Sequence, residues 1–137
     1  MTAGKSEDLG KLLLRISIGL VLIFHGYFKL VHGIEWLRGP LAEIGLPGFV
    51  AYGVYIGEFV APLMVIVGFR ARIGALVMVV NMVAAIFIAH RHQVFSINPA
   101  GGGWAIELDA LILLGALALF FMGGGKLGIT RGKSAWD

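Results

Sequence analysis

The 137-residue chain has no cysteine. That absence removes disulfides, thiol redox chemistry, thiolate metal sites and iron–sulfur clusters in one step, so any electron carrier must be held in another way. Charge is scarce too. Only 14% of the residues are charged, against about 25% in an ordinary soluble domain, while 58% are hydrophobic and the mean hydropathy is +0.90. These figures exclude a soluble domain of this size. A β-barrel is excluded as well, because the apolar runs are continuous and lack the alternation over about ten residues that barrel strands show.

What remains is an all-α membrane protein. A bilayer core of about 30 Å takes about 20 apolar residues per helix, and four segments supply them: 12–31, 49–68, 73–89 and 104–122. They predict an antiparallel four-transmembrane-helix bundle over residues 12–125, between a frayed polar tail at 1–11 and a polar tail at 126–137. The first segment follows Lys5, Lys11 and Arg15 as a signal peptide would. It is long for such a segment, and His25-Gly26-Tyr27 is no small-residue cleavage site, so retention is expected.

Between the first two spans, Trp36, Leu37, Leu41 and Ile44 recur at near-helical spacing, broken by Gly39-Pro40 and ended by Gly45-Leu46-Pro47-Gly48. This stretch is too short to span and predicts an interfacial segment with Trp36 at headgroup depth. Arg70-Ala71-Arg72 predicts a tight turn between antiparallel neighbours. Asn98-Pro99 and Gly101-Gly102-Gly103 break the chain before Trp104, and Gly123-Gly124-Gly125 ends the last span. Gly53 and Gly57 form a small-xxx-small pair suited to close helix packing.

The net charge of +3 does not point to nucleic acid, because the basic residues lie in short inter-helical segments rather than on one face. They report topology instead. Lys5, Lys11, Arg15, Arg70, Arg72, Lys126, Arg131 and Lys133 share one side if both termini do, leaving Lys29, Arg38 and Arg91 for the other. Eight against three predicts that both termini are cytoplasmic.

Within the spans stand His25, Glu58, Asn81, Glu107 and Asp109. An ionisable group at that depth costs roughly 2.5 to 3.5 kcal/mol even on lenient scales, so such groups face a protein interior and mark a site. With a rise of about 1.5 Å per residue, Glu58 and Asn81 fall near the midplane, His25 slightly beyond it, and Lys29, Glu107 and Asp109 further out. His90 and His92 cap the outer end of the third span, where His90 can close a pocket from above. His25 and Lys29, four apart, share a face. Glu58 and Glu107 are their natural counter-charges, and equal depth predicts a Lys29–Glu107 pair. Glu107 and Asp109 differ by about 200° of helix rotation; Glu107 is expected to point inward and Asp109 toward headgroups or a neighbouring subunit.

As chemistry, His25 with Glu58 resembles a proton-transfer pair, and such a pair in a lipid-accessible cavity suits a quinone, whose carbonyl oxygens need donors and a proton source. Tyr27, Tyr52 and Tyr55 lie near the outer mouth. Haem is disfavoured because only His25 lies well inside a span. No metal site is expected, since no helical His-x-x-x-His or Glu-x-x-His pairing occurs. The alternative use of the layer is a buried hydrogen-bond network that fixes helix register and does no chemistry.

These residues together resemble the DoxX-like family of small four-helix bacterial membrane proteins, from about Leu12 to Ile129. The similarity rests on Arg15-Ile16-Ser17-Ile18-Gly19, Phe24-His25-Gly26-Tyr27-Phe28-Lys29-Leu30, Leu46-Pro47, Gly57-Glu58 and Gly68-Phe69-Arg70. It continues through Asn81-Met82, His90, Gly102-Gly103-Trp104 with Glu107, and Gly123-Gly124-Gly125-Lys126. The resemblance implies a protein similar to the small membrane subunit of thiosulfate:quinone oxidoreductases, with His25, Lys29, Glu58, Asn81, His90 and Glu107 at the family's polar positions. Which of Glu107 and Asp109 takes the family's acidic position stays open. The reading is a membrane subunit of a quinone-linked oxidoreductase, with His25 and Glu58 as its chemical pair and a hydrophilic or membrane partner subunit, or a second copy, to complete it. The alternative is a non-catalytic scaffold or small-solute carrier.

Overall fold

The computed structural model describes residues 3–137. Among them the regular structure is helical and no strand forms. Helix α1 spans Ala3–His32 and the short α2 spans Arg38–Glu43. The next apolar run, Gly48–Val67, is one continuous rod of four pieces. A 3₁₀ turn Gly48–Tyr52 leads into α3, Gly53–Tyr55; a π-helical turn Ile56–Val60 follows, and then α4, Ala61–Val67. Helix α5 covers Ala71–Ala89 and α6 covers Glu107–Met122.

Helix α1, the rod Gly48–Val67 and α5 are long and apolar enough to cross a membrane. Helix α6 has 16 residues and is shorter than these. It starts at Glu107 rather than at Trp104 because the preceding backbone is committed elsewhere. Ala105 N–H donates to Ser96 O at 2.9 Å and Asn98 N–H to Gly103 O at 2.7 Å, while the Trp104 indole donates to Val94 O at 2.6 Å. The loop before α6 is therefore a small hairpin, where the glycines alone predict only a flexible breaker.

At the other end of the chain the expected frayed tail is largely helical. From Ala3 onward the residues extend α1, since each one added to an existing helix gains a hydrogen bond without a new nucleus. Lys126 N–H donates to Asp8 Oδ1 at 3.0 Å and ties that first stretch to the C-terminal segment. Met1 and Thr2 lie outside the described residues.

The π turn has a visible cause. Pro62 carries no N–H, so the carbonyl four residues before it, that of Glu58, has no α-helical donor and would also meet the proline ring. The turn widens just before this point, with Ala61 N–H donating to Ile56 O, five residues back. It also turns Glu58 inward, where its residue is 3% exposed. Helix α1 crosses at this point through Gly26, where any side-chain carbon would land on the Glu58 carbonyl oxygen.

Ile18 and Leu22 of α1, Ala61 and Val65 of α4, Ala75, Met78 and Met82 of α5, and Ile112, Ala116 and Leu119 of α6 form the main core. A second cluster gathers Ile34, Leu37, Leu41 and Ala51. The segment between α1 and the rod thus turns Ile34, Leu37 and Leu41 inward and roofs the molecule, with Trp36 half-exposed. Gly39-Pro40 does not break α2, because Pro40 falls in its first turn, where the N–H has no intrahelical partner anyway.

Arg15 holds the end where the two termini meet. Its residue is 1% exposed, and its guanidinium donates to four carbonyls: Val65 at 2.7 Å, Ile66 at 2.8 Å, Gly124 at 2.8 Å and Leu127 at 2.7 Å. Two of these are last-turn carbonyls of α4, where backbone donors run out; Val65 O also accepts from Gly68 N–H at 3.2 Å. Ile129 N–H and Thr130 N–H cover the next two, Val67 O at 3.0 Å and Gly68 O at 3.1 Å. The C-terminal segment is therefore a strap across the helix ends, closed by Arg72 Nε on Asp137 O at 3.1 Å. The charge count treats Arg15 only as a topology marker. Its place beside Gly19, Leu22 and Gly26 on one inward stripe of α1 is the sequence signal for its structural role.

Candidate functional site

Between the main core and the roof cluster lies a cavity of about 300 Å³. Its walls are mostly apolar: Leu22, Leu37, Leu41, Val54, Val77, Ile88 and Ile112 contribute, with the small residues Ala84, Ala85 and Ala89 along α5. Six polar side chains reach it: His25, Lys29, Glu58, Asn81, His90 and Asp109. Five of these were expected from the sequence. The sixth replaces Glu107, which is exposed on the other side of α6 against Gly103.

That exchange follows from the phase of α6. Asp109 continues the inward stripe of Ile112, Ala116 and Leu119, at offsets of three, seven and ten residues, whereas Glu107 is turned away by two positions. The expected orientation of the two acids is thus reversed, and with it the expected Lys29–Glu107 pair.

Lys29 instead reaches inward to Glu58. Its ammonium sits 2.5 Å from both carboxylate oxygens, with side-chain exposures of 15% and 4% for the two residues. A lysine side chain is long enough to reach from its place near the C-terminal end of α1 to a carboxylate near the middle of the rod. Asn81 Nδ2 donates to Glu58 Oε1 at 3.4 Å, and the Trp36 ring lies 6.0 Å from the ammonium, within the range of a cation–π contact. Gly57 lets Asn81 in, since a side chain there would overlap its amide, while Gly53 touches no neighbour and faces the cavity. The two glycines have different uses, one a close approach and one open space.

His25 lines the cavity from an exposed position on α1. Among the described residues no hydrogen bond joins it to Glu58, so the direct His25–Glu58 pair is replaced by a Lys29–Glu58–Asn81 cluster. At the far end of α5, His90 Nε2 stands 3.7 Å from Asp109 Oδ2. His90 and Asn81 are nine residues apart on the same helix side of the cavity, about 13 Å at the α-helical rise. The chamber therefore has two polar poles joined by an alanine-rich wall. Tyr55 donates to Lys29 O at 3.3 Å and braces α1 against the rod; Tyr27 and Tyr52 are exposed.

Comparison with known proteins agrees with this architecture. The family profile described as DoxX matches residues 10–91, which carry His25, Lys29, Glu58, Asn81 and His90. The chain is 30% identical over 119 residues to a Bacillus subtilis (strain 168) protein named "Putative oxidoreductase CatD", covering 87% of this chain and 83% of that one. It is 26% identical over 129 residues to a Mycobacterium tuberculosis (strain ATCC 25618 / H37Rv) protein named "Uncharacterized membrane protein Rv3486", covering 86% and 77%. No solved structure matches. A profile match over more than half the chain, together with a 30% identical relative of similar length, identifies this membrane protein as a member of the DoxX family.

Proposed function

We propose that the protein is an antiparallel four-span subunit of a quinone-linked oxidoreductase of the bacterial inner membrane, and that the cavity receives the ring of a quinone or a similar lipid-soluble carrier. The observation that carries this reading is the cavity itself. It is apolar, about 300 Å³ in volume, and has polar groups converging on it, which is the usual make-up of a small-molecule site of the smaller size class. A ring fits; an isoprenoid tail would have to leave through the side, where the lining residues His25, Gly53 and Val80 are exposed.

In this reading a bound quinone supplies the two-electron chemistry, and the chain supplies hydrogen bonds and protons. His25, whose ring has no hydrogen-bond partner among the described residues, is placed to donate to a carbonyl oxygen. Asn81 offers its amide oxygen as an acceptor, since its Nδ2 already donates to Glu58 Oε1 and to Met82 Sδ. Glu58 holds a carboxyl group inside the bundle for proton relay, with the Lys29 ammonium as its counter-charge. Without cysteine or a dinucleotide-binding unit, a hydrophilic or membrane partner completes the electron path. The name of the Bacillus subtilis relative supports an oxidoreductase setting.

The distribution of paired and unpaired cations supports an orientation. The three cations at the end away from the termini are all matched: Lys29 with Glu58, Arg38 with Glu35 and Arg91 with Glu43. Lys5, Lys11, Arg70, Lys126, Arg131 and Lys133 at the termini end have no such partner among the described residues. Unpaired positive charge is thus concentrated at the termini, which supports a cytoplasmic location for both.

A second reading is favoured by one observation: Glu58, Lys29 and Asn81 already bond to one another, as a register-fixing network in a scaffold or solute carrier would. Lipid extraction of gently purified protein separates the two. The redox reading expects a near-stoichiometric quinone in the wild type and its loss in Glu58→Gln. No quinone, or equal retention in the variant, would favour the network.

A further inference from the structure

The second pole of the cavity has no part in the scheme above. His90 and Asp109 both line the cavity and both reach solvent, with side-chain exposures of 38% and 22%. They stand where the chamber meets the outside, one on each of the two helices that flank it. We propose that His90 and Asp109 form a proton-operated latch across one mouth of the cavity, distinct from the side opening at His25, Gly53 and Val80, and closed while His90 carries a proton.

The geometry favours attraction by charge rather than a fixed hydrogen bond. At 3.7 Å the nitrogen and oxygen are within ion-pair range but beyond normal hydrogen-bond length, so a neutral imidazole gains little from the carboxylate. Both helix ends favour the charged forms. His90 caps the C-terminus of α5, where its N–H donates to Ile86 O at 3.1 Å; Asp109 lies in the first turn of α6. Helix dipoles stabilise a cation at the first place and an anion at the second.

The other charges around His90 leave this pair as its main control. Arg91, next to it, is held by Glu43 of α2 at 2.7 Å, and Lys29 and Glu58 across the cavity neutralise each other. His92 is exposed on the adjoining turn, Glu107 points away on the outer side of α6, and His25 faces the chamber from α1. The α5 end is already fastened to the roof through Arg91. The start of α6 meets it here across the opening, so losing the His90 charge frees that edge and admits molecules from the side opposite the termini. This inference concerns access alone and holds whether or not the cavity takes a redox carrier.

The absence of native cysteine supplies the test. Ala85→Cys places a thiol on the cavity wall, and its modification rate by a water-soluble thiosulfonate is measured in detergent from about pH 5 to pH 8, where imidazole changes charge. The same thiol is then measured with His90→Gln and, separately, with Asp109→Asn. Taking the ratio to these latchless proteins at each pH cancels the thiol's own titration. The latch predicts rates about 2- to 5-fold slower than latchless at pH 5, the range for a partly exposed ion pair, converging to equality at pH 8. A ratio that does not change with pH overturns the proposal, as does a thiol that stays unreactive in every background. Should one latchless variant fail to fold, the other gives the same comparison.

Discussion

Lys29→Met should destabilise the protein in detergent by about 3 to 5 kcal/mol, and Glu58→Leu by a similar amount, because each leaves the other charge buried without a partner. The double variant should lose much less than the sum. Both residues lie well inside the fold, with side-chain exposures of 15% and 4%, so solvent does not screen the pair as it would a surface bridge. A coupling of about 1 to 3 kcal/mol in the double-mutant cycle is expected, read from unfolding midpoints in mild detergent. The same cycle with Lys29→Met and Glu107→Gln should be additive, since Glu107 is on the outside of α6. Additivity for Lys29 with Glu58 would mean that the pair does not hold in solution.

Arg15→Met should be at least as costly. Of its four acceptors, Val65 O also receives Gly68 N–H at 3.2 Å, but Ile66 O, Gly124 O and Leu127 O have Arg15 as their side-chain donor. Each carbonyl left unpaired in a buried place costs about 1 to 3 kcal/mol, so a loss of about 3 kcal/mol or more is expected. Arg15→Lys should recover only part of it, because an ammonium cannot span four acceptors as a planar guanidinium fork does. The effect has a local signature. The strap should loosen first, so trypsin should cut after Lys126 and Arg131 far faster in Arg15→Met than in the wild type. Unchanged cleavage and an unchanged midpoint would show that Arg15 does not fasten the strap.

The parts of this structure that the sequence reveals are those where lipid and water differ. The apolar runs locate the long helices to within a few residues, except at the start of α1, which begins at Ala3 and not at residue 12, because length against bilayer thickness constrains the apolar part alone. Polar residues inside those runs identify four of the six cavity side chains, His25, Lys29, Glu58 and Asn81, because their burial is expensive anywhere else, and His90 follows from its place at the end of the third run. Phase is harder to read. In α5 and α6 both the core side and the lipid side are apolar, so the pattern has no polar face to orient it. Glu107 and Asp109 could therefore be placed at the right depth and on the wrong sides. Partner choice was misread for a related reason: depth along the axis ignores the reach of a lysine side chain, which brings Lys29 to Glu58. The π turn was legible in principle from Pro62 and the carbonyl four residues earlier. The hairpin at 96–105 and the C-terminal strap depend on backbone hydrogen bonds between distant segments, which no local pattern encodes.

The central claim, that the chamber beneath Trp36 receives a ring-bearing ligand, is tested most directly by that indole. With Trp104 and Trp136 replaced by phenylalanine, Trp36 is the sole tryptophan, and it lines the cavity beside Lys29. Titration with a short-chain quinone analogue should quench its fluorescence along a saturating curve. Ala85→Leu, which fills the chamber from the α5 wall, should shift that curve to about tenfold higher concentration or abolish saturation, a change of about 1.4 kcal/mol or more. Quenching that rises linearly without saturation, or is the same in Ala85→Leu, would contradict the account.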